Sequence, residues 1–266
     1  MAKVKALIMT GYGINCDAET KFAFELAGGE AEIIHINDLI KNKSLMKQFR
    51  IIAFPGGFSY GDDTGSGKAY ANKIRNNLSD EFSEFVSGDN LVIGICNGFQ
   101  IISNIGIVPG YSKLGEGDVA LEHNSHGRYE CGWVDLNVSE NNSVFLRGIK
   151  SLHVPFAHGE GNFFAEEAVM KRLVENKQDV LRYSKNGSLA KGEYPFNPNG
   201  AMDDIAGITD VSGRILGMMP HPERYLYFCQ REDWTFQKEM LEREGREVPE
   251  YGEGLKIFQN AVEYFQ

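Results

Sequence analysis

Leu91-Val-Ile-Gly-Ile-Cys-Asn-Gly-Phe-Gln100 is the stretch from which the chain is best read. Apolar Leu91, Val92 and Ile93 run into Gly94-Ile95-Cys96-Asn97-Gly98, and a helical apolar pattern begins at Phe99 and continues through Ile101, Ile102 and Ile105. This order predicts a strand, a sharp turn and a helix. Gly-x-Cys-x-Gly is the thiol form of the nucleophile elbow, in which a strained turn at a strand end pushes the reactive atom clear of the sheet. Gly94 and Gly98 leave room for the helix to approach the strand, where a Cβ would block it. A cysteine at a helix N-terminus is also favoured as thiolate by the helix dipole and the free backbone N–H groups. A buried structural cysteine is the other reading of the same residues.

Upstream, apolar runs and polar punctuation alternate. Val4 to Met9 reads as a strand, Thr10 to Cys16 as a Gly-rich turn, and Asp17 as the N-cap of a helix carrying Phe22, Phe24 and Leu26 that Gly28-Gly29 ends. A strand over Ala31 to Ile36, a short helix near Asp38 to Phe49 and a strand over Ile51 to Phe54 follow. Strands and helices in this alternation predict an α/β fold, a mostly parallel sheet flanked by helices whose ligands sit beyond the carboxyl ends of the strands. The turn after the third of these strands, Pro55-Gly56-Gly57-Phe58-Ser59-Tyr60-Gly61-Asp62-Asp63, has two glycines that allow a backbone N–H to point into that crevice, or that simply make a tight turn. Gly61 to Lys68 is no phosphate loop, because Asp62 and Ala69 stand where a Walker A pattern needs Gly and Ser or Thr.

Downstream, Gly115 to Asn142 is polar, with strand-like Trp133 to Val138. Its His123, His126 and Cys131 match no structural zinc spacing, so surface or hydrogen-bonded roles fit them better. Leu152 to Gly161 reads as a strand entering a glycine-rich turn, and places His158 and Glu160 as candidates for substrate contact or packing. A helix over Glu166 to Glu175, a strand over Val180 to Tyr183, a hairpin of Ile205 to Ile208 with Ile215 to Met218, and a terminal helix over Gly254 to Phe265 complete the pattern. The hairpin delivers Pro220-His221-Pro222-Glu223. Each proline disfavours the helical region for the residue before it, so an extended backbone is expected, with His221 and Glu223 on one face. Such a pair supplies the base and orienter of a Cys-His-Glu triad, though a solvent-facing turn fits the four residues equally well in isolation.

At 266 residues and net charge −10, with no Pro/Ser/Gly-rich linker, the chain is expected to form one domain over 1–266. The absence of a dense basic run argues against nucleic acid as a partner. No h-region or bilayer-length apolar run is visible, and the four cysteines are scattered without a C-x-x-C pair, which suits a soluble protein of the reducing cytoplasm.

Pro55-Gly-Gly57, Gly94-Ile-Cys-Asn-Gly-Phe-Gln100 and Pro220-His-Pro-Glu223, in this order, resemble the class I (triad-type) glutamine amidotransferases. Gly56 to Asp62, Cys96 to Gln100, Ala157 to Gly161 and Gly217 to Arg224 resemble, more narrowly, the glutaminases of phosphoribosylformylglycinamidine synthase. The resemblance covers nearly the whole chain and implies a flavodoxin-like sheet. It makes Cys96 the nucleophile, His221 the general base and acid, and Glu223 the orienter; the N–H groups of Gly57 and Asn97 the oxyanion hole; and Gln100 and Gly56 part of the glutamine pocket. It implies no cofactor or metal in this chain: ATP and Mg would belong to a separate large synthetase subunit that acts on formylglycinamide ribonucleotide, usually with a small bridging subunit. The stretches Gly115 to Arg128 and Gln230 to Glu253 are longer than in the compact members of that family, and Gly132 stands where arginine is expected, which bears on docking more than on chemistry. A thiol hydrolase or peptidase on a related sheet, a glutaminase serving another synthetase and a silent binding module are the competing readings.

Overall fold

Short apolar runs become the strands β1 (Lys5–Thr10), β2 (Glu30–His35), β3 (Ile51–Phe54) and β4 (Leu91–Ile95), connected by α1 (Asp17–Leu26), α2 (Ile36–Lys41) and α3 (Lys68–Ser87). The computed structural model describes residues 3–63 and 65–266. After β4 come α4 (Asn97–Ile105), β5 (Val119–His123), β6 (Glu130–Val138), β7 (Ser151–His158), β8 (Glu160–Ala165), α5 (Glu167–Glu175), β9 (Leu181–Lys185) and β10 (Ser188–Leu189). The hairpin β11 (Ile205–Thr209) and β12 (Ile215–Met218) precedes α6 (Trp234–Arg243) and α7 (Leu255–Glu263).

The main sheet runs β2-β1-β3-β4-β12-β11-β9-β6-β7, with β10 paired to β9, while β5 and β8 form a separate antiparallel pair. From β2 to β12 every pairing is parallel; beyond β12 the strands are antiparallel. Every residue of β3 and β4 is buried, as expected of parallel strands covered on both faces. Register carries the functional consequence. Phe54 of β3 pairs with Gly94 of β4, and Met218 of β12 pairs with Ile95. The carboxyl ends of three adjacent strands therefore bring Pro55 to Gly57, Cys96 and Met219 to Glu223 to one rim.

Two glycines let α4 sit on this rim. A Cβ on Gly98 would lie 1.8 Å from Phe54 O, and one on Gly94 2.6 Å from Gly98 O. We expect Gly98→Ala to destabilise the fold by at least the roughly 1–3 kcal/mol that overpacking costs. Thermal unfolding checks this, and an unchanged melting temperature would remove the close-approach explanation for this glycine.

Local differences from the sequence reading have identifiable causes. Cys16, not Asp17, is the N-cap residue of α1; Asp17 opens the helix and accepts a hydrogen bond from Thr10 Oγ1 at 2.5 Å. At its other end α1 closes as expected, with Gly29 N–H donating to Phe24 O and Gly28 N–H to Glu25 O in a Schellman arrangement. The helix expected over Asp38 to Phe49 is divided, because Asn42 (φ −135°, ψ 75°) ends α2 and a 3-10 turn, Lys43–Gln48, follows. α3 was not anticipated. It begins after Gly67 (φ +74°) and buries Tyr70, Ala71, Ile74, Leu78, Phe82 and Phe85. Among the described residues no helix is long and apolar enough to cross a membrane.

Candidate active site

Cys96 occupies the junction of β4 and α4 with φ +53° and ψ −111°, a conformation that costs a non-glycine residue on the order of 1–3 kcal/mol. The surrounding ladder holds it there: its N–H donates to Met218 O at 2.8 Å, and its carbonyl accepts from the N–H groups of Phe99 (2.9 Å) and Gln100 (3.2 Å). Cys96 is 6% exposed, and its Sγ lies 3.6 Å from Ala157 O on β7, a weak contact.

His221 is anchored by its own N–H, which donates to Pro155 O at 2.8 Å. Its Nδ1 lies 2.7 Å from Glu223 Oε1, with both side chains almost fully buried. A carboxylate only accepts, so Nδ1 carries a proton, and Nε2 is the nitrogen left to exchange a proton with the thiol. Among the described residues, neither His221 Nε2 nor Glu223 Oε2 has a hydrogen-bond partner. Burial by itself pushes the imidazole pKa down, but the Glu223 carboxylate and the sulfurs of Cys96 and Cys16 outweigh it and hold the ring well above the ordinary histidine value. The expected extended backbone stops at His221: Pro222–Arg224 is a 3-10 turn, and it is this turn that folds Glu223 back onto the ring. One neighbour escaped the sequence reading. Buried Cys16 accepts from Arg224 Nη2 at 3.0 Å and lies with the ligating atoms of His221 and Glu223 in a group no more than 4.8 Å across.

In front of Cys96 is a cavity of about 140 Å³ lined by Gly57, Asp62, Ser66, Gln100 and Glu160 among others. Asn97 is the first residue of α4, so its N–H is one of the first-turn donors that no helix carbonyl takes up. Its side chain braces the loop after β3, accepting from Ser59 N–H at 3.1 Å and donating to Asp62 Oδ1 at 3.3 Å. Gly57 (φ +154°) packs so tightly on the preceding Gly-rich turn that a Cβ would lie 2.4 Å from Gly13 O. Gln100 borders the cavity with its amide already engaged: Oε1 accepts from Asn97 Nδ2 at 2.7 Å and Nε2 donates to Glu160 O at 2.6 Å. One N–H and one lone pair remain for a ligand. Gly56 is placed by steric need, since a Cβ there would lie 2.7 Å from His221 Cε1 and 3.4 Å from Cys96 Cβ.

His158 is buried, and its pKa is lowered to about 3, first by burial and then by the charge of His221. His123 lies 3.5 Å from Glu160, His126 lies 2.9 Å from Glu130 Oε2, and Cys131 is exposed.

A thiol on a strand-end elbow, opening into a small cavity with a buried imidazole–carboxylate pair beside it, agrees with the family this chain matches: the CobB/CobQ-like glutamine amidotransferase domain, over residues 3–265. The chain is 53% identical over 265 residues to the phosphoribosylformylglycinamidine synthase subunit PurQ of Methanococcus maripaludis strain S2, covering 98% of this chain and 97% of that one. The PurQ subunit of Dehalococcoides mccartyi is 44% identical, with 99% and 98% covered. Among solved structures, PurLQS from Thermotoga maritima contains a chain that superimposes with a TM-score of 0.69 at 30% identity, covering 99% of this chain and all of that one. The chain belongs to the PurQ family of phosphoribosylformylglycinamidine synthase subunits, glutamine amidotransferases of purine biosynthesis.

Proposed function

We propose that Cys96 hydrolyses L-glutamine to glutamate and ammonia through a thioester, and that the ammonia passes to a large synthetase subunit which converts formylglycinamide ribonucleotide to formylglycinamidine ribonucleotide with ATP. The observation that carries this reading is Cys96 at φ +53° on the end of β4, bordering the cavity that Gly57 lines, with the buried His221–Glu223 pair beside it. His221 Nε2 takes the thiol proton, and the thiolate attacks the amide carbon of glutamine. The N–H groups of Gly57 and Asn97 hold the oxyanion. Ammonia leaves with the proton from His221, and water then attacks the thioester, giving its proton to the same nitrogen as glutamate departs and the thiol re-forms.

Ammonia released into neutral water becomes ammonium and loses its nucleophilicity, so this chemistry is useful only against a partner. The likeness to a chain of PurLQS supports a synthetase partner; a small bridging subunit beside it, and ATP and Mg on the synthetase, complete the proposal. A peptidase reading is disfavoured by Gln100 at the fourth position after the nucleophile and by the Gly56-Gly57 turn, both of which favour glutamine. Copurification with the synthetase, followed by assay of glutamate release with and without it, tests the proposal. No turnover in either condition would sink it.

Gly56 offers a second check. Because its Cβ would displace the imidazole, Gly56→Ala should lower glutamine turnover about 100-fold, the cost of a misplacement of about 1 Å. Steady-state kinetics at unchanged melting temperature would show this; full activity would free His221 from its assigned position.

A further inference from the structure

We infer that Asp62 and Glu160 recognise the α-ammonium group of the substrate and so confine Cys96 to free glutamine. This rests on the glutaminase reading above and adds to it the groups that select the amino-acid end of the substrate.

Both carboxylates line the cavity in front of Cys96, and among the described residues no lysine or arginine does. The one imidazole on its wall, His158, is neutral at working pH, with its pKa lowered to about 3. The two acids therefore share a small, half-buried space with no counter-ion of their own inside it. Asp62 shows the cost, because burial first, and then the charge of Glu160, raise its pKa. A cation entering the cavity relieves both carboxylates at once.

Their hydrogen bonds hold them in place without neutralising them. Asp62, at φ +55°, accepts from Asn97 Nδ2 at 3.3 Å, and Glu160 Oε2 accepts from Ser66 N–H at 3.3 Å. The other oxygen of Glu160 lies 3.5 Å from His123, which is 82% exposed and sits outside the cavity wall. Gln100 links this acidic end to the nucleophile, since it follows Cys96 on α4 and donates to the carbonyl of Glu160 at 2.6 Å. A primary ammonium has three donors, enough for charge-assisted hydrogen bonds to both carboxylates. Glutamine fits such a site with its amide at Cys96 and its ammonium between Asp62 and Glu160. A glutamine whose α-nitrogen lies in a peptide bond has no ammonium to offer.

The test compares L-glutamine with 4-carbamoylbutanoate, which keeps the amide and the carboxylate but lacks the amino group. Ammonia release is measured for the wild-type complex with its synthetase and for Asp62→Asn and Glu160→Gln. Wild type should prefer glutamine, and each variant should raise the KM for glutamine roughly 10- to 100-fold, as expected for loss of a hydrogen bond to a charged group. kcat should fall less, and the preference over 4-carbamoylbutanoate should collapse. Alkylation of Cys96 by iodoacetamide should proceed at the wild-type rate in both variants. Wild-type preference retained in the variants, or an equal loss on both substrates, overturns the assignment while leaving glutaminase chemistry standing. A wild-type complex that releases no ammonia from glutamine overturns the glutaminase reading itself.

Discussion

Cys96→Ala should abolish glutamine-dependent synthesis by the assembled complex and leave synthesis from added ammonia at the wild-type rate. Deleting a nucleophile removes the covalent route altogether, and the expected fall in glutamine turnover is roughly 10⁶-fold, the scale of loss known when a triad nucleophile is removed. Structure gives little reason for collateral damage. The elbow is held by backbone hydrogen bonds to Met218 O and from Phe99 and Gln100, all of which alanine keeps, and alanine at φ +53° is no more strained than cysteine. The thiol itself makes only the weak 3.6 Å contact to Ala157 O. The decisive comparison is between nitrogen sources measured on one preparation. Equal loss with glutamine and with ammonia would make Cys96 a structural residue of the docking surface, and the thioester mechanism would fall.

The rim of the sheet was legible because its strands announce themselves. Ile51 to Phe54 and Leu91 to Ile95 are continuous apolar runs, the signature of parallel strands buried on both faces, and the glycines around Cys96 mark the elbow directly. α3 was missed for the opposite reason. It is a mostly polar segment following a Gly-rich loop, and its apolar residues only become a stripe when Tyr70, Ile74, Leu78, Phe82 and Phe85 are counted at helical spacing. His221 and Glu223 were paired correctly through a local argument that holds only in part, because tertiary packing turns Pro222–Arg224 into a 3-10 turn where a continued extended strand was expected. Cys16 illustrates what no spacing rule reaches: 80 residues from Cys96 and 205 from His221 along the chain, it lies beside the imidazole only because β1, β3 and β12 end at one rim. In the sequence Asp62 reads as the end of a family-like Gly56-to-Asp62 turn and as an obstacle to a phosphate loop. Its meaning depends on Glu160, which arrives on β8 from another part of the fold.

Glu223→Gln should reduce glutamine turnover by up to roughly 10⁴-fold without eliminating it, the scale of loss when a triad carboxylate is replaced by its amide. Two effects act together. A buried glutamine can present its NH₂ to Nδ1 and so favour the tautomer that leaves Nε2 protonated, where it cannot take the thiol proton. It also removes the negative charge that opposes burial. In the wild type Glu223 is the first of the groups that raise the His221 pKa against burial, so the ring keeps its proton to higher pH than an ordinary histidine and supplies the counter-charge that a Cys96 thiolate needs. Activity of the thiolate–imidazolium pair then falls as pH rises through that elevated value. With glutamine at 223, burial dominates and the ring loses its proton at lower pH, so the alkaline limb of the kcat/KM profile, which belongs to the pair and to neither residue alone, should move toward acid. A defect that merely loosened the turn would lower the whole profile without moving the limb. An unmoved limb, or wild-type turnover, would therefore take Glu223 out of the chemistry, whereas the shifted limb ties its charge to the protonation state of His221 at the moment Cys96 reacts.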